Sequence, residues 1–195
     1  ADDASIVKAC QAHGVPALMT RADHASGSDR LAEACALLAL ADDALVVNVQ
    51  GDEPLIDPAA IDTLVAPLLA DPAVEMTTLC RPAAPGEDVA SPHLVKVVRD
   101  RRGHALYFSR APIPFRRDAG RAAAAVHVGL YAYRRETLLR LAGLPPTPLE
   151  RSESLEQLRA LEYGIPIRVL ETTYVSVAVD TPEDLERARR TVSTS

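Results

Sequence analysis

Tryptophan is absent, and five tyrosines and two phenylalanines are all the aromatic carbocycles that 195 residues contain. So few rings argue against the stacking platforms that hold single-stranded nucleic acid. Positive charge is not in excess either. Lys and Arg number 21 against 27 Asp and Glu, a formal net charge of −6, which argues against broad binding to a phosphate backbone. The two Arg-rich stretches, 99–102 and 116–121, have no interleaved aromatics and read as solvated loops or hairpin ends. No apolar run is long enough to cross a bilayer, and no signal peptide opens the chain. Cysteine is scarce. Cys10, Cys35 and Cys80 lack CxxC spacing and lie in apolar periodic segments, which suits reduced core thiols in a cytosolic protein. The expected setting is the cytoplasm, with neither nucleic acid nor membrane as partner.

What is present is an ordinary globular composition: 48% apolar and 25% charged, enough to build a core and to exclude disorder. The length suits a single domain spanning 1–195. Apolar periodicity predicts helices over 2–13, 28–40, 58–70, 150–162 and 181–192. Asp57-Pro58 marks one helix start, and Thr181-Pro182-Glu183-Asp184 marks another with a capping hydroxyl, a first-turn proline and acids near the positive helix end. Strands are expected at 16–20, 44–50, 74–80, 165–170 and 175–179, the second of them apolar enough to be buried on both faces. Helices alternating with such strands predict an α/β fold with a mostly parallel sheet. Between them, 94–100 and 104–108 read as a hairpin turning at Arg101-Arg102-Gly103, and 127–133 as a further strand. These make a β-rich insertion over roughly 94–145, suited to a substrate lid or a dimer contact.

Three segments point to chemistry. Val49-Gln50-Gly51-Asp52-Glu53-Pro54 runs an apolar strand into two acids, at the strand end where open α/β sheets bind ligands. Asp52 there suits a magnesium ion that bridges phosphates, although the same residues read equally well as a polar turn. Asp180 follows a second apolar strand; alone it reads as a lead-in to a helix cap, but paired with Asp52 it can complete a metal site for phosphoryl chemistry. The polar loop from Thr20 to Arg30 feeds a helix start, and Ser26, Gly27 and Ser28 can serve either as cap or as a grip on an anion or base edge.

In this order the segments resemble the 3-deoxy-manno-octulosonate cytidylyltransferases, the CMP-Kdo synthetases. The matching stretches are MTRADHASGSDRLAE at 19–33, VVNVQGDEPLI at 46–56, VKVVRDRRGHALYFSRAPIP at 95–114, HVGLYAYR at 127–134, PLERSESLEQLRALEYG at 148–164 and VDTPEDLERAR at 179–189. The resemblance implies a Rossmann-like sheet of the nucleotide-diphospho-sugar transferase type. It also implies transfer of CMP from CTP to the eight-carbon acid sugar Kdo, with release of pyrophosphate, for lipopolysaccharide synthesis. By position it makes Asp52 and Asp180 the magnesium pair, and it puts Arg21, Ser26, Gly27, Arg30 and Gln50 around cytosine and ribose. Lys96, Arg110, His127, Tyr131, Glu156 and Gln157 fall around the sugar. For Arg110 a bidentate grip on the sugar carboxylate stands beside a strand-end ion pair, and for His127 a substrate hydrogen bond stands beside a satisfied structural role. A homodimer is implied, with strands in 104–145 as its contact.

One feature departs from that pattern. The family opens with a strand and a Pro-Ala-Arg-Tyr…Gly-Lys-Pro loop that holds the triphosphate, and this chain begins instead within a helical pattern. The expectation is a lost N-terminal segment and little turnover by the chain as given, since phosphoryl-type transfer depends on positioned charge. The alternatives are a cytidylyltransferase for another acid sugar, such as sialic acid, and a non-catalytic dimerisation fragment.

Overall fold

In the computed structural model, residues 1–24, 26–115, 117, 124–175, 178–179 and 181–193 are described, the last two of them by backbone alone. A six-stranded mixed sheet organises the chain. Its spine is the long strand β5 (Ala125–Arg134). Along one edge of β5 runs β2 (Met76–Pro82), antiparallel, and beyond it β6 (Ile167–Glu171), parallel to β2. The other edge is shared. β1 (Leu45–Asn48) pairs with residues 131–134, and β3 (Lys96–Arg99) meets the opposite end of β5 at Val126. β4 (Ala105–Ser109) closes a hairpin with β3, as expected. The hairpin turn is held by the Asp100 Oδ1 atom, which accepts from the Arg102 and His104 N–H groups, and Gly103 supplies a positive φ of 83°.

β5 shows how side-chain alternation builds the layers. Val128, Leu130 and Ala132 turn to one face and pack on Ala60, Leu64 and Leu68 of the helix Pro58–Ala70. Tyr133 turns to the other face, among Leu138 and Leu141 of the helix Arg135–Ala142, with Met76 and Leu158. Two cores, one on each sheet face, make an α/β/α sandwich of the α/β class.

Several expectations shift on the structure. The sheet is mixed, not mostly parallel as expected: among the described residues only β2 and β6 pair in parallel, and the strand foreseen at 127–133 lies in the middle of the sheet, antiparallel to both β1 and β2; sequence patterning reports burial, not strand direction. Segment 16–20 is coil: Thr20 N–H and Leu18 C=O pair with Ala1, and no ladder forms. Of 175–179, residues 175, 178 and 179 are described and none is in a strand. The single helix expected over 150–162 is two, Pro148–Glu153 and Gln157–Glu162, because Ser154 takes a left-handed φ of 51° between them. The first helix, Ala4–Ala12, starts on an Asp3 cap but buries none of its residues. Cys35 and Cys80 are core thiols, while Cys10 is half-buried. At the other end the helix Pro182–Ser193 has its expected reciprocal cap: Asp184 N–H donates to the Thr181 hydroxyl, and Thr181 N–H donates to the Asp184 carboxylate. Among the described residues no helix is long and apolar enough to cross a membrane.

Candidate functional site

Where β1 and β5 meet, a cleft of about 190 Å³ opens on the Tyr133 face of the sheet. Three elements converge on it. The helix Gly27–Leu37 brings Gly27 and Ser28 at its positive N-terminal end, with Ser26 as cap: its hydroxyl accepts from Asp29 N–H at 3.2 Å. β1 brings Asn48 and, just past its end, Gln50; two apart on an extended strand, they point the same way. β5 and the start of the helix Gln157–Glu162 bring Tyr131, Tyr133, Glu156 and Gln157. The cleft thus gathers Gly27 and Gln50 of the expected nucleotide set with Tyr131, Glu156 and Gln157 of the expected sugar set.

The chemistry of this cleft is unbalanced. Glu156 has a buried carboxylate oxygen, Oε1, with no hydrogen-bond partner among the described residues, and among them no Arg or Lys lines the cavity. A buried acceptor left unpaired costs free energy until a donor arrives, so the oxygen calls for a ligand hydroxyl or amine. Burial raises the phenols of Tyr131 and Tyr133 well above the usual range, and the Glu156 charge adds to the effect on both. They are therefore neutral hydrogen-bonding groups at any ordinary pH. Tyr133 and Tyr131 stack at 6.0 Å between centroids, Tyr131 meets His127 at 5.5 Å, and His127 meets the buried Phe108 edge-on at 4.9 Å.

The remaining expected residues divide. Asp52 sits in the exposed turn beyond β1, its carboxylate free of partners among the described residues, and its C=O accepts from Val179 N–H at 2.9 Å. The segment that precedes Asp180 in the sequence is thereby tied beside Asp52; Asp180 itself lies outside the described residues. Next to Asp52, Glu53 accepts from the Tyr174 hydroxyl at 2.9 Å, which fixes the turn to the segment after β6. Arg30 is occupied with the loop itself, donating to the Thr20 hydroxyl, the Arg21 C=O and Asp2. The Arg21 side chain, exposed and paired with Asp23, lies in a separate open depression with His24 and Asp29.

Lys96 and Arg110 are committed to the fold. The fully buried Lys96 ammonium donates to the carbonyls of Ser91, Leu94 and Arg110, and burial lowers its pKa. The Arg110 guanidinium donates to the carbonyls of Glu153, Pro92 and Ser154, and Glu153 accepts in return from Arg110 N–H and the Ser109 hydroxyl. The sequence reading passed over Asn48 and Tyr133, which also line the cleft. Both carried a usable signal, since each stands two positions from an expected site residue on the same strand face; Ser28, read as either cap or ligand grip, lines the cleft while Ser26 makes the cap.

Comparison with known proteins gives this geometry its context. A family profile described as "Cytidylyltransferase" matches residues 1–171. The 3-deoxy-manno-octulosonate cytidylyltransferase of Syntrophotalea carbinolica is 55% identical over 95% of this chain and 77% of that protein. The same enzyme of Solibacter usitatus is 54% identical over 97% of this chain and 74% of its own length. A solved structure of CMP:2-keto-3-deoxy-manno-octonic acid synthetase in complex with CTP superposes with a TM-score of 0.91 at 44% identity, covering 99% of this chain and 78% of that one. A 4-diphosphocytidyl-2C-methyl-D-erythritol synthase, at 12% identity and a TM-score of 0.58 over 98% of this chain and 78% of its own, shares the fold alone. On its profile match and these identities, this chain belongs to the cytidylyltransferase family, among the 3-deoxy-manno-octulosonate cytidylyltransferases.

Proposed function

We propose that the cleft joins a cytidine nucleotide to the acid sugar Kdo, forming CMP-Kdo and pyrophosphate. The observation that carries the reading is the unpaired, buried Glu156 oxygen in a cavity shared by Gln50, Tyr131 and Gln157. A polyhydroxylated sugar brings the donors that this oxygen lacks. Gly27 and Ser28 also line the cleft, where an N–H group and a hydroxyl can read the edge of a base beside the Gln50 amide. In the reaction the anomeric oxygen of the sugar bonds to the α-phosphorus, the bond from that phosphorus to the β-bridging oxygen breaks, and pyrophosphate leaves with the hydroxyl proton released. The chain's own groups position both partners, and positioning supplies much of the rate in phosphoryl-type transfer.

Magnesium belongs to this reading. Asp52 fits it: an exposed carboxylate with no competing partner among the described residues, two residues beyond the cleft-lining Gln50. Asp52 with Asp180 would hold the ion, which when bound supplies positive charge against the phosphates. A homodimer is also part of the proposal, supported by Leu106 and Phe115, which leave 61% and 89% of their surfaces exposed in and just beyond the hairpin expected to form the contact. Cytoplasmic work completes it. Neither sialic acid activation nor a purely structural fragment is favoured by the relatives.

Calorimetry with magnesium present tests the assignment: CTP against UTP, then Kdo against sialic acid. Preference for CTP and for Kdo by about tenfold or more is expected, the scale of a pocket that pairs ligand polar groups. Equal affinity for the two nucleotides, or preference for sialic acid, would overturn it.

A further inference from the structure

The pairing of β2 with β5 breaks in the middle. Thr78 lies opposite Tyr131, yet the next residue, Leu79, lies opposite Val128, so Gly129 and Leu130 have no partners on β2. A bulge of this kind removes carbonyls from the ladder, and buried carbonyls need donors from elsewhere. Thr78 supplies one. Its side chain is fully buried, and its Oγ1 lies 2.8 Å from Leu130 C=O and 3.4 Å from Val128 C=O. The same Oγ1 lies 2.9 Å from His127 Nε2.

A hydroxyl has one proton, and a carbonyl can only accept. With the Thr78 proton given to Leu130 C=O, the oxygen can meet His127 only as an acceptor, so Nε2 carries the ring proton. Nδ1 is then the bare nitrogen, and no described residue donates to it. Between His127 and Tyr131 on the same strand face stands the exposed Gly129, where a Cβ would meet nothing within 4 Å, and His127 itself is only half-buried.

We propose that Thr78 is a positioning residue of the sugar site, holding His127 as the Nε2–H tautomer so that Nδ1 accepts a hydrogen bond from a hydroxyl of the acid sugar. The proposal rests on the reading of His127 as a sugar contact, and its test separates the two. The assignment needs no ligand: a two-bond proton–nitrogen NMR spectrum of the free protein should show His127 with a pyrrole-type Nε2 and a pyridine-type Nδ1, identified by their loss in His127→Gln. In Thr78→Val the tautomers should mix and Kdo affinity fall by about tenfold, the range of one hydrogen bond, while Thr78→Ser should restore both.

A pyridine-type Nε2 in the unaltered protein would overturn the proposal even if Thr78→Val does not fold. So would mixed tautomers in Thr78→Val with Kdo affinity unchanged while His127→Gln still weakens it. If His127→Gln leaves Kdo affinity unchanged, it is the sugar-contact reading itself that fails, and the proposal with it.

Discussion

Two regions of this molecule are built from the same kinds of side chain and use them in opposite ways. Around the hairpin, Lys96, Arg110 and Glu153 lie in a closed hydrogen-bond network whose acceptors are mostly backbone carbonyls. Around the β1–β5 cleft, neither Glu156 Oε1 nor the carboxylate of Asp52 has a partner among the described residues. A charged residue that resembles a ligand contact by type and position can hold backbone carbonyls together. In the cleft it is the unsatisfied Glu156 oxygen, more than any cation, that marks where a ligand can complete the structure.

The sharpest way to break that comparison is to remove one group from each side. Lys96→Met should cost about 3 kcal/mol of stability, because three partly buried carbonyls lose a charged donor together. Chemical denaturation reads this directly, and a loss below about 1 kcal/mol would return Lys96 to the list of ligand contacts.

The second prediction concerns acid. Burial pushes the His127 pKa down to about 3, from 6.5 when unfolded. Between those values the unfolded chain binds a proton that the native chain refuses. Stability is therefore complete above pH 6.5 and falls by about 1.4 kcal/mol per pH unit below it. Glu87, held at about 2 by the Arg81 guanidinium, acts with the same sign lower down, its contribution draining as pH drops below the unfolded value of 4.5. Denaturation midpoints from pH 7.5 to 4.5 should decline, and His127→Gln should flatten the decline.

Glu156→Gln sharpens the contrast from the cleft side. It removes charge from a group that no donor among the described residues pairs, so stability should stay within about 0.5 kcal/mol while Kdo affinity drops about tenfold by calorimetry. The smallest effect is expected at Gly129, where space is open. Gly129→Ala should leave the unfolding midpoint unchanged or slightly raised and weaken Kdo binding by about threefold, an estimate on the scale of one methyl group in a pocket.

Much of this architecture was legible in the sequence because it rests on local rules. The run from Leu45 to Asn48, the proline-led helix starts at Pro58 and Pro182, and the Asp100 to Gly103 turn all formed as their residues dictate. The break at Ser154 was not legible, because a left-handed serine is chosen by the packing of the helices on either side and not by its own preference. Nor was the antiparallel course of β5, since apolar alternation is the same in either direction. Within the site, Gln50, Tyr131, Glu156 and Gln157 came from resemblance and converge in one cleft. The commitments of Lys96 and Arg110 could not be foreseen, because they depend on which carbonyls a folded loop brings within reach.

The most direct measurement is an amide NMR titration with CTP, magnesium and then Kdo. Resonances of Gly27, Gln50, Tyr131 and Glu156 should move in a saturable manner while those of Lys96 and Val97 stay in place. Shifts confined to the hairpin, with the cleft residues silent, would contradict the assignment of the ligand site to the junction of β1 and β5.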